Sequence, residues 1–219
     1  MIFLKRYQIE DEKWNDCILK STNGLIYGLT WFLDELSSNW CAFVNEEEGC
    51  YTQVFPIPYK RKFGVKYVYP PFFIQQLGLF SPEYSKKEEE KAISLMIKKF
   101  KFIELNLNYK GKYGGIRRNL VLRLNRDYDT IKKSYSKNHF RNLKKAQKLG
   151  LQLRNNVLPS TIIALFKADR GADLKTYSNS DYENLLRLFQ RASSESAFIS
   201  LGVDYNNELI CGGFFMKFK

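Results

Sequence analysis

Residues 127–150 read Asp127-Tyr-Asp-Thr-Ile-Lys-Lys-Ser-Tyr-Ser-Lys-Asn-His-Phe-Arg-Asn-Leu-Lys-Lys-Ala-Gln-Lys-Leu-Gly150, and the organisation of the chain turns on them. The stretch has no proline, its acids stand at the start, and its only glycine comes last. That pattern predicts a helix over 127–149 stopped by Gly150. At about 100° per residue, Lys137, Arg141, Lys144, Lys145 and Lys148 fall on one face. Tyr128, Ile131, Tyr135, Leu143 and Ala146 take the opposite, inward side. His139, the only histidine, projects to that inner side, where a packed or hydrogen-bonded role is expected over that of a catalytic base.

The charge of the whole chain gathers around this helix. Residues 105–156 hold 14 Lys/Arg against Asp127 and Asp129, a local net of +12 that equals the formal charge of all 219 residues. A field this concentrated implies an anionic partner: phosphate, nucleic acid or anionic lipid. The five-residue cationic stripe is the candidate phosphate-binding surface. A plain solvated helix face is the alternative reading.

On the N-terminal side, periodicity predicts a strand at 2–7, helices at 10–21 and 30–37, and strands at 40–45 and 50–59 joined by an acidic turn. A strand at 66–69, a helix at 81–100, a strand at 102–107 and another at 119–124 follow. On the C-terminal side the pattern restarts: a strand at 151–154, a helix at 159–170, a helix at 180–192 opened by a Ser180-x-x-Glu183 capping box, then strands at 198–203 and 209–218 turning at Asn206-Asn207. Both sides share the order strand, helix, helix, hairpin. The repeat is one of topology, and the second copy ends after its hairpin. The expected organisation is a unit over 1–126, a basic connecting helix over 127–149 and an incomplete second unit over 150–219.

Composition narrows the function classes. Hydrophobic content of 44% with 26% charged residues is that of a globular chain. No apolar run approaches the roughly 18 residues of a membrane span, and the N-terminus lacks a signal-peptide layout, so a cytoplasmic location is expected. Cys17, Cys41, Cys50 and Cys211 form no CxxC pair, which leaves zinc-ribbon and thioredoxin-like chemistry unsupported. With one histidine, no metal site is expected.

Three stretches resemble the Fem-type family, which includes the peptidoglycan-bridge aminoacyl transferases and is built from two units of the GNAT (N-acetyltransferase) fold. They are Tyr69-Pro-Pro-Phe-Phe-Ile-Gln-Gln-Leu-Gly78, Ser134-Tyr-Ser-Lys-Asn-His-Phe-Arg-Asn-Leu-Lys-Lys-Ala146 with Gly150-Leu151, and Leu209-Ile-Cys-Gly-Gly-Phe-Phe215. The resemblance implies an α+β fold with a mixed sheet: a GNAT-like unit, the basic linker helix and a partial second GNAT-like unit.

The same resemblance implies an N-acyltransferase that moves an acyl group from acyl-CoA or aminoacyl-tRNA to an amine. Lys137, Arg141, Lys144, Lys145 and Lys148 would then face a phosphorylated donor or acceptor, tRNA included. Tyr69, Phe72, Gln75, Gln76, Gly78, Gly212 and Gly213 would line the substrate site. In a CoA-binding unit a Q/R-x-x-G-x-G/A loop holds the pyrophosphate on backbone N–H groups. Here the position reads Gln75-x-x-Gly78-x-Phe80, and the bulky last residue argues against CoA in the first unit. No general base stands out: Asp204 and Glu208 flank the second hairpin, where acids usually only solubilise. Two alternatives stay open. One is a non-catalytic module binding nucleic acid or a phosphorylated glycan through the basic helix. The other is a truncated, inactive transferase, and an oligomer or a missing C-terminal half stands among the open partners.

Overall fold

Strands β2 (Trp40–Glu47) and β3 (Cys50–Lys62) form the hairpin around which the N-terminal part of the chain is built. They pair antiparallel from Trp40↔Pro58 to Glu47↔Cys50. Alternation sends Trp40, Ala42, Val44 and Val54 to one face and Cys41, Phe43, Phe55 and Ile57 to the other, all buried. A sheet that is apolar on both sides needs cover on both.

The rest of the sheet follows from that need. β1 (Ile2–Lys5) pairs antiparallel with β2, and β4 (Val65–Val68) with β3. β5 (Phe102–Ile103) pairs parallel with β4, giving the order β1-β2-β3-β4-β5. The parallel pair requires a crossover, supplied by helix α3 (Lys86–Lys99). α3 lays Ala92, Ile93 and Met96 with Phe100 against Phe43, Phe55 and Ile57. The opposite face is covered by α1 (Asp11–Lys20) and α2 (Thr30–Leu36), which contribute Trp14, Cys17, Ile18, Phe32 and Leu33. The Trp14 indole N–H donates to the Gly28 carbonyl at 2.7 Å, so this large ring is buried without an orphaned donor. Arg6 forms an ion pair with Asp34 at 2.7 Å, and Asp34 also accepts from the Trp40 indole at 2.7 Å.

The computed structural model describes residues 1–109, 112, 114–169, 171 and 177–219. It divides into two compact units that differ from the sequence-derived bounds. One comprises Met1–Gly114, Thr176–Phe198 and Met216–Lys219; the other comprises Gly115–Lys175 and Ile199–Phe215. Helix α7 (Asn179–Ser194, the last described helix) joins the first unit because its apolar side completes that core. Leu188 is buried with Trp14 and Phe32, and Met216 and Phe218 pack on the same cluster. α2 and α7 are also tied by an Arg187–Glu35 ion pair at 3.5 Å.

The other unit contains α4 (Tyr128–Lys133), α5 (Lys137–Lys148) and α6 (Pro159–Ala168) with a three-stranded sheet, β6 (Gln152–Asn155), β7 (Phe198–Tyr205) and β8 (Glu208–Met216), in the order β6-β7-β8. Asn206 and Asn207 both take positive φ, +51° and +65°, as a tight hairpin turn requires. The core is small: among the described residues its buried apolar side chains are Val157, Ile162 and Ile163.

Several elements depart from the sequence reading. The single helix expected over 127–149 is two, because Ser136 caps a fresh start by accepting from the His139 N–H. The helix expected from 81 begins at Lys86, capped by Ser85, because the Ser81 hydroxyl is engaged with the Thr52 and Glu83 carbonyls in a turn. The capping box lies at Ser178 and Asp181 instead of Ser180 and Glu183. Residues 119–124 form no strand. The last difference has a plain cause, since alternation creates a strand only where a partner offers its backbone.

Assigning α7 to the first unit gives a stability test. Leu188→Ala should lower the unfolding free energy by about 3 kcal/mol in urea denaturation, as expected for a fully buried leucine. Arg187→Ala, at a half-exposed ion pair, should cost about 0.5 kcal/mol or less.

Candidate functional site

The cationic face rests on two caps and a stop. Asp127 accepts from the Thr130 N–H at 2.8 Å and from its hydroxyl at 2.6 Å, bonds that hold its carboxyl below the usual range. Ser136 starts α5, and Gly150, at φ +66°, ends it. Along α5 the side chains of Lys137, Arg141, Lys144, Lys145 and Lys148 are all exposed. Among the described residues none of the five forms an ion pair. Arg141 donates to Asn138 Oδ1 at 2.8 Å, and the Lys144 ammonium lies 4.9 Å from the Phe140 ring centre.

With Tyr135 and Phe140, these cations line a shallow open depression along the helix. Aromatic floor and cationic rim together suit a phosphorylated ligand. His139 is exposed, not packed inward as its helix phase suggested; Nδ1 lies 2.9 Å from the Ser136 hydroxyl. The break before Ser136 resets the orientation of α5, so a phase counted from Asp127 does not carry through.

The candidate substrate residues on the first unit lie in the loop between β4 and α3. Tyr69 is half-buried, with the Lys60 ammonium 4.4 Å from its ring centre and its phenol pushed up by burial. Phe72 packs edge-on against Tyr177 at 4.9 Å, and Phe73 stacks on the same ring at 5.7 Å. Phe73 adopts φ +66°, a costly conformation for a bulky residue. The Gln75 side-chain oxygen accepts from the Tyr27 hydroxyl at 3.4 Å. Tyr69, Phe72 and Gln75 thus each meet different neighbours, with Phe72 and Gln75 exposed and Gln76 half-buried.

Gly78 is different, being buried in the interior. Its backbone is pressed against the Asn108 amide so closely that a Cβ would collide with it. Leu77 bridges to Leu107 and Phe80 to Val54, placing residues 77–80 between β3 and the chain beyond β5. The N–H groups of Leu77 and Phe80 are bound to the Asn106 and Val54 carbonyls at 2.8 and 2.9 Å. A pyrophosphate needs such N–H groups free at a helix N-terminus; these are committed, and α3 starts eight positions beyond Gly78. The loop does not fit CoA.

Glu89 escaped the sequence reading because it sits in the charged run Lys86-Lys-Glu-Glu-Glu-Lys91. Its side chain is almost completely buried. Oε2 accepts from the Tyr84 hydroxyl at 2.7 Å, while Oε1 and both polar atoms of the Asn108 amide have no partner. Desolvation pushes its carboxyl up from the ordinary range. The signal was available: Glu89, Ile93, Met96 and Phe100 stand at i, i+4, i+7 and i+11, on the apolar stripe.

In the other unit, Gly212 makes room for Ile162, whose side chain a Cβ would strike at 2.7 Å. At Gly213 the nearest neighbour is the Phe215 ring, 3.9 Å away, so β8 is approachable there. Arg154 binds Asp204 at 2.8 Å through two nitrogens, a bond that ties β6 to β7. Cys17 and Cys41 are buried, which pushes their thiols up to about 11 and about 12, unsuited to nucleophilic work. Among the described residues, no three His, Cys, Asp or Glu side chains group as metal ligands, and no helix is long and apolar enough to cross a membrane.

No family model matches the sequence. No curated protein matches it either. Among solved structures, the crystal structure of FemX superposes with a TM-score of 0.58 at 15% identity, over 93% of this chain and 57% of that one. The fold is thus Fem-like, of the GNAT type, and the chain spans 57% of the length of FemX.

Glu89 supplies a pH test. A carboxyl whose folded pKa is raised binds its proton more tightly folded than unfolded. Its contribution to stability therefore falls as pH climbs from the ordinary carboxylate range through the raised value. Glu89→Gln should remove that decline, so urea midpoints followed from acid to neutral pH should fall less in the variant than in the parent protein.

Proposed function

We propose that the chain is an acyl or aminoacyl transferase of the Fem type, acting with a phosphorylated donor held on α5. The observation that carries this reading is the row of five exposed cations, free of ion pairs among the described residues, on a Fem-like fold. The donor is an acyl-CoA or an aminoacyl-tRNA and the acceptor a primary amine. Because the Leu77 and Phe80 N–H groups are engaged in the sheet, donor phosphates are assigned to α5 and not to the first unit. Within the unit that carries α5, the open backbone at Gly213 is assigned to the approach of the reacting groups.

The chemistry asks little of side chains. The amine nitrogen attacks the carbonyl carbon of the thioester or ester, and a tetrahedral oxyanion forms. The C–S or C–O bond then breaks, releasing a thiol or a ribose hydroxyl, and the amine proton passes to the leaving group or solvent. Positioning and N–H donors for the oxyanion supply most of the acceleration. No general base is assigned: Asp204 is engaged with Arg154.

A second reading is favoured by one specific feature. Tyr135 and Phe140 line the cationic depression of α5, and such aromatics among cations suit a module that binds nucleic acid or a phosphorylated glycan without catalysis. Turnover separates the two readings.

Charge reversal provides the test of the α5 assignment. Arg141→Glu with Lys145→Glu should abolish donor binding in a filter or titration assay while the unfolding midpoint stays constant. With a nucleic-acid donor, milder Arg141→Gln and Lys145→Gln changes should each lower the slope of log K against log salt by about 0.7–0.9. Unchanged affinity and slope would remove α5 from the site.

A further inference from the structure

We propose that residues 116–124 form a lipid-surface anchor that seats the chain on an anionic membrane interface. The segment lies within Gly115-Ile-Arg-Arg-Asn-Leu-Val-Leu-Arg-Leu-Asn-Arg126 and forms neither strand nor helix. Its aliphatic side chains stand in the open: Ile116 is 76% exposed, Leu120 85%, Val121 82%, Leu122 60% and Leu124 75%. Soluble surfaces scatter such residues singly, and a contiguous run marks a surface to be covered.

Charge identifies the cover. Arg117, Arg118, Arg123 and Arg126 interleave with these aliphatics, and no acid occurs from Leu105 to Arg126. The unit carrying the segment holds fifteen Lys/Arg against six Asp/Glu, a net of +9. A second copy of the chain docking through the same residues would bring these arginines together. Nucleic acid would use the arginines but leave the aliphatics in water, and the segment has no aromatic side chain for base stacking. An anionic lipid layer uses both. Guanidinium groups meet lipid phosphates while leucine and isoleucine side chains reach the acyl boundary, and the backbone stays at headgroup depth, where water still satisfies it.

The anchor is independent of the transferase reading and is tested without a donor. The full chain is sedimented with phosphatidylcholine vesicles, with and without phosphatidylglycerol. Co-sedimentation is expected only with phosphatidylglycerol present, and it should fall as salt rises. The combined Leu120→Ser, Leu122→Ser and Leu124→Ser variant should lower partitioning about tenfold or more. Arg117→Gln and Arg118→Gln should each lower it about fivefold. These side chains are exposed, so circular dichroism and the urea midpoint should not move.

Failure to bind phosphatidylglycerol vesicles would overturn the proposal, as would undiminished binding by the leucine variant. Loss of vesicle binding on neutralising Lys137, Arg141 and Lys145, with the leucine variant still bound, would move the contact to α5 and overturn it too. A dimer in sedimentation velocity without lipid, dissolved by the leucine substitutions, would give the segment to a second copy instead.

Discussion

The first unit depends on residues 77–80 being paired on both sides. Phe80 bridges to Val54 on β3 and Leu77 to Leu107 beyond β5, so main-chain bonds fill the gap that the short β4 leaves in the sheet. The segment also joins the two cores: Leu77 and Phe80 belong to the cluster under α1 and α2, Leu79 to the cluster under α3. Gly78 is the residue that allows the backbone to press against Asn108. Were this stretch to leave, each face of β3 would lose part of its cover and several backbone groups would be left unpaired in the interior, which is costly.

That arrangement directs where chemistry can take place. A segment whose N–H groups hold the sheet together cannot also cradle a phosphate, although its Gln-x-x-Gly spacing invites the comparison. The α5 cations, which form no ion pair among the described residues, lie elsewhere, on a helix with no buried residue. Exposure weakens each lysine as a structural element and leaves it available as a ligand for an anion. The small core of the second unit fits the same division: Gly212 is used to bring Ile162 close, and Gly213 is left open.

Local signals were legible wherever local bonds decide the outcome. The inward sides of α1 and α3 follow from spacing, with Trp14, Cys17, Ile18, Ile93 and Met96 buried as their positions require. The cationic side of α5 is equally direct. Caps were harder to place, because serines compete. Ser136 interrupts a helix that composition alone would continue, and Ser178 captures the cap from Ser180 since Asp181 can return the bond. Glu89 was hidden by its charged neighbours, even though its register with Ile93 and Met96 marks it as inward. Residues 119–124 carry strand alternation but no strand.

The family resemblance implied the α+β class, and the sequence by itself determined the order of most elements, the concentration of positive charge at 105–156 and the cationic stripe. These rest on periodicity, capping chemistry and charge counting, which act over a few residues. Only the tertiary structure decided that α7 completes the first core, that residues 77–80 are a sheet element with the Leu77 and Phe80 N–H groups engaged, that Glu89 is buried, and that the aliphatics of 116–124 stand uncovered. Each depends on which distant backbone or side chain arrives to pair with it, and spacing along the chain holds no record of that.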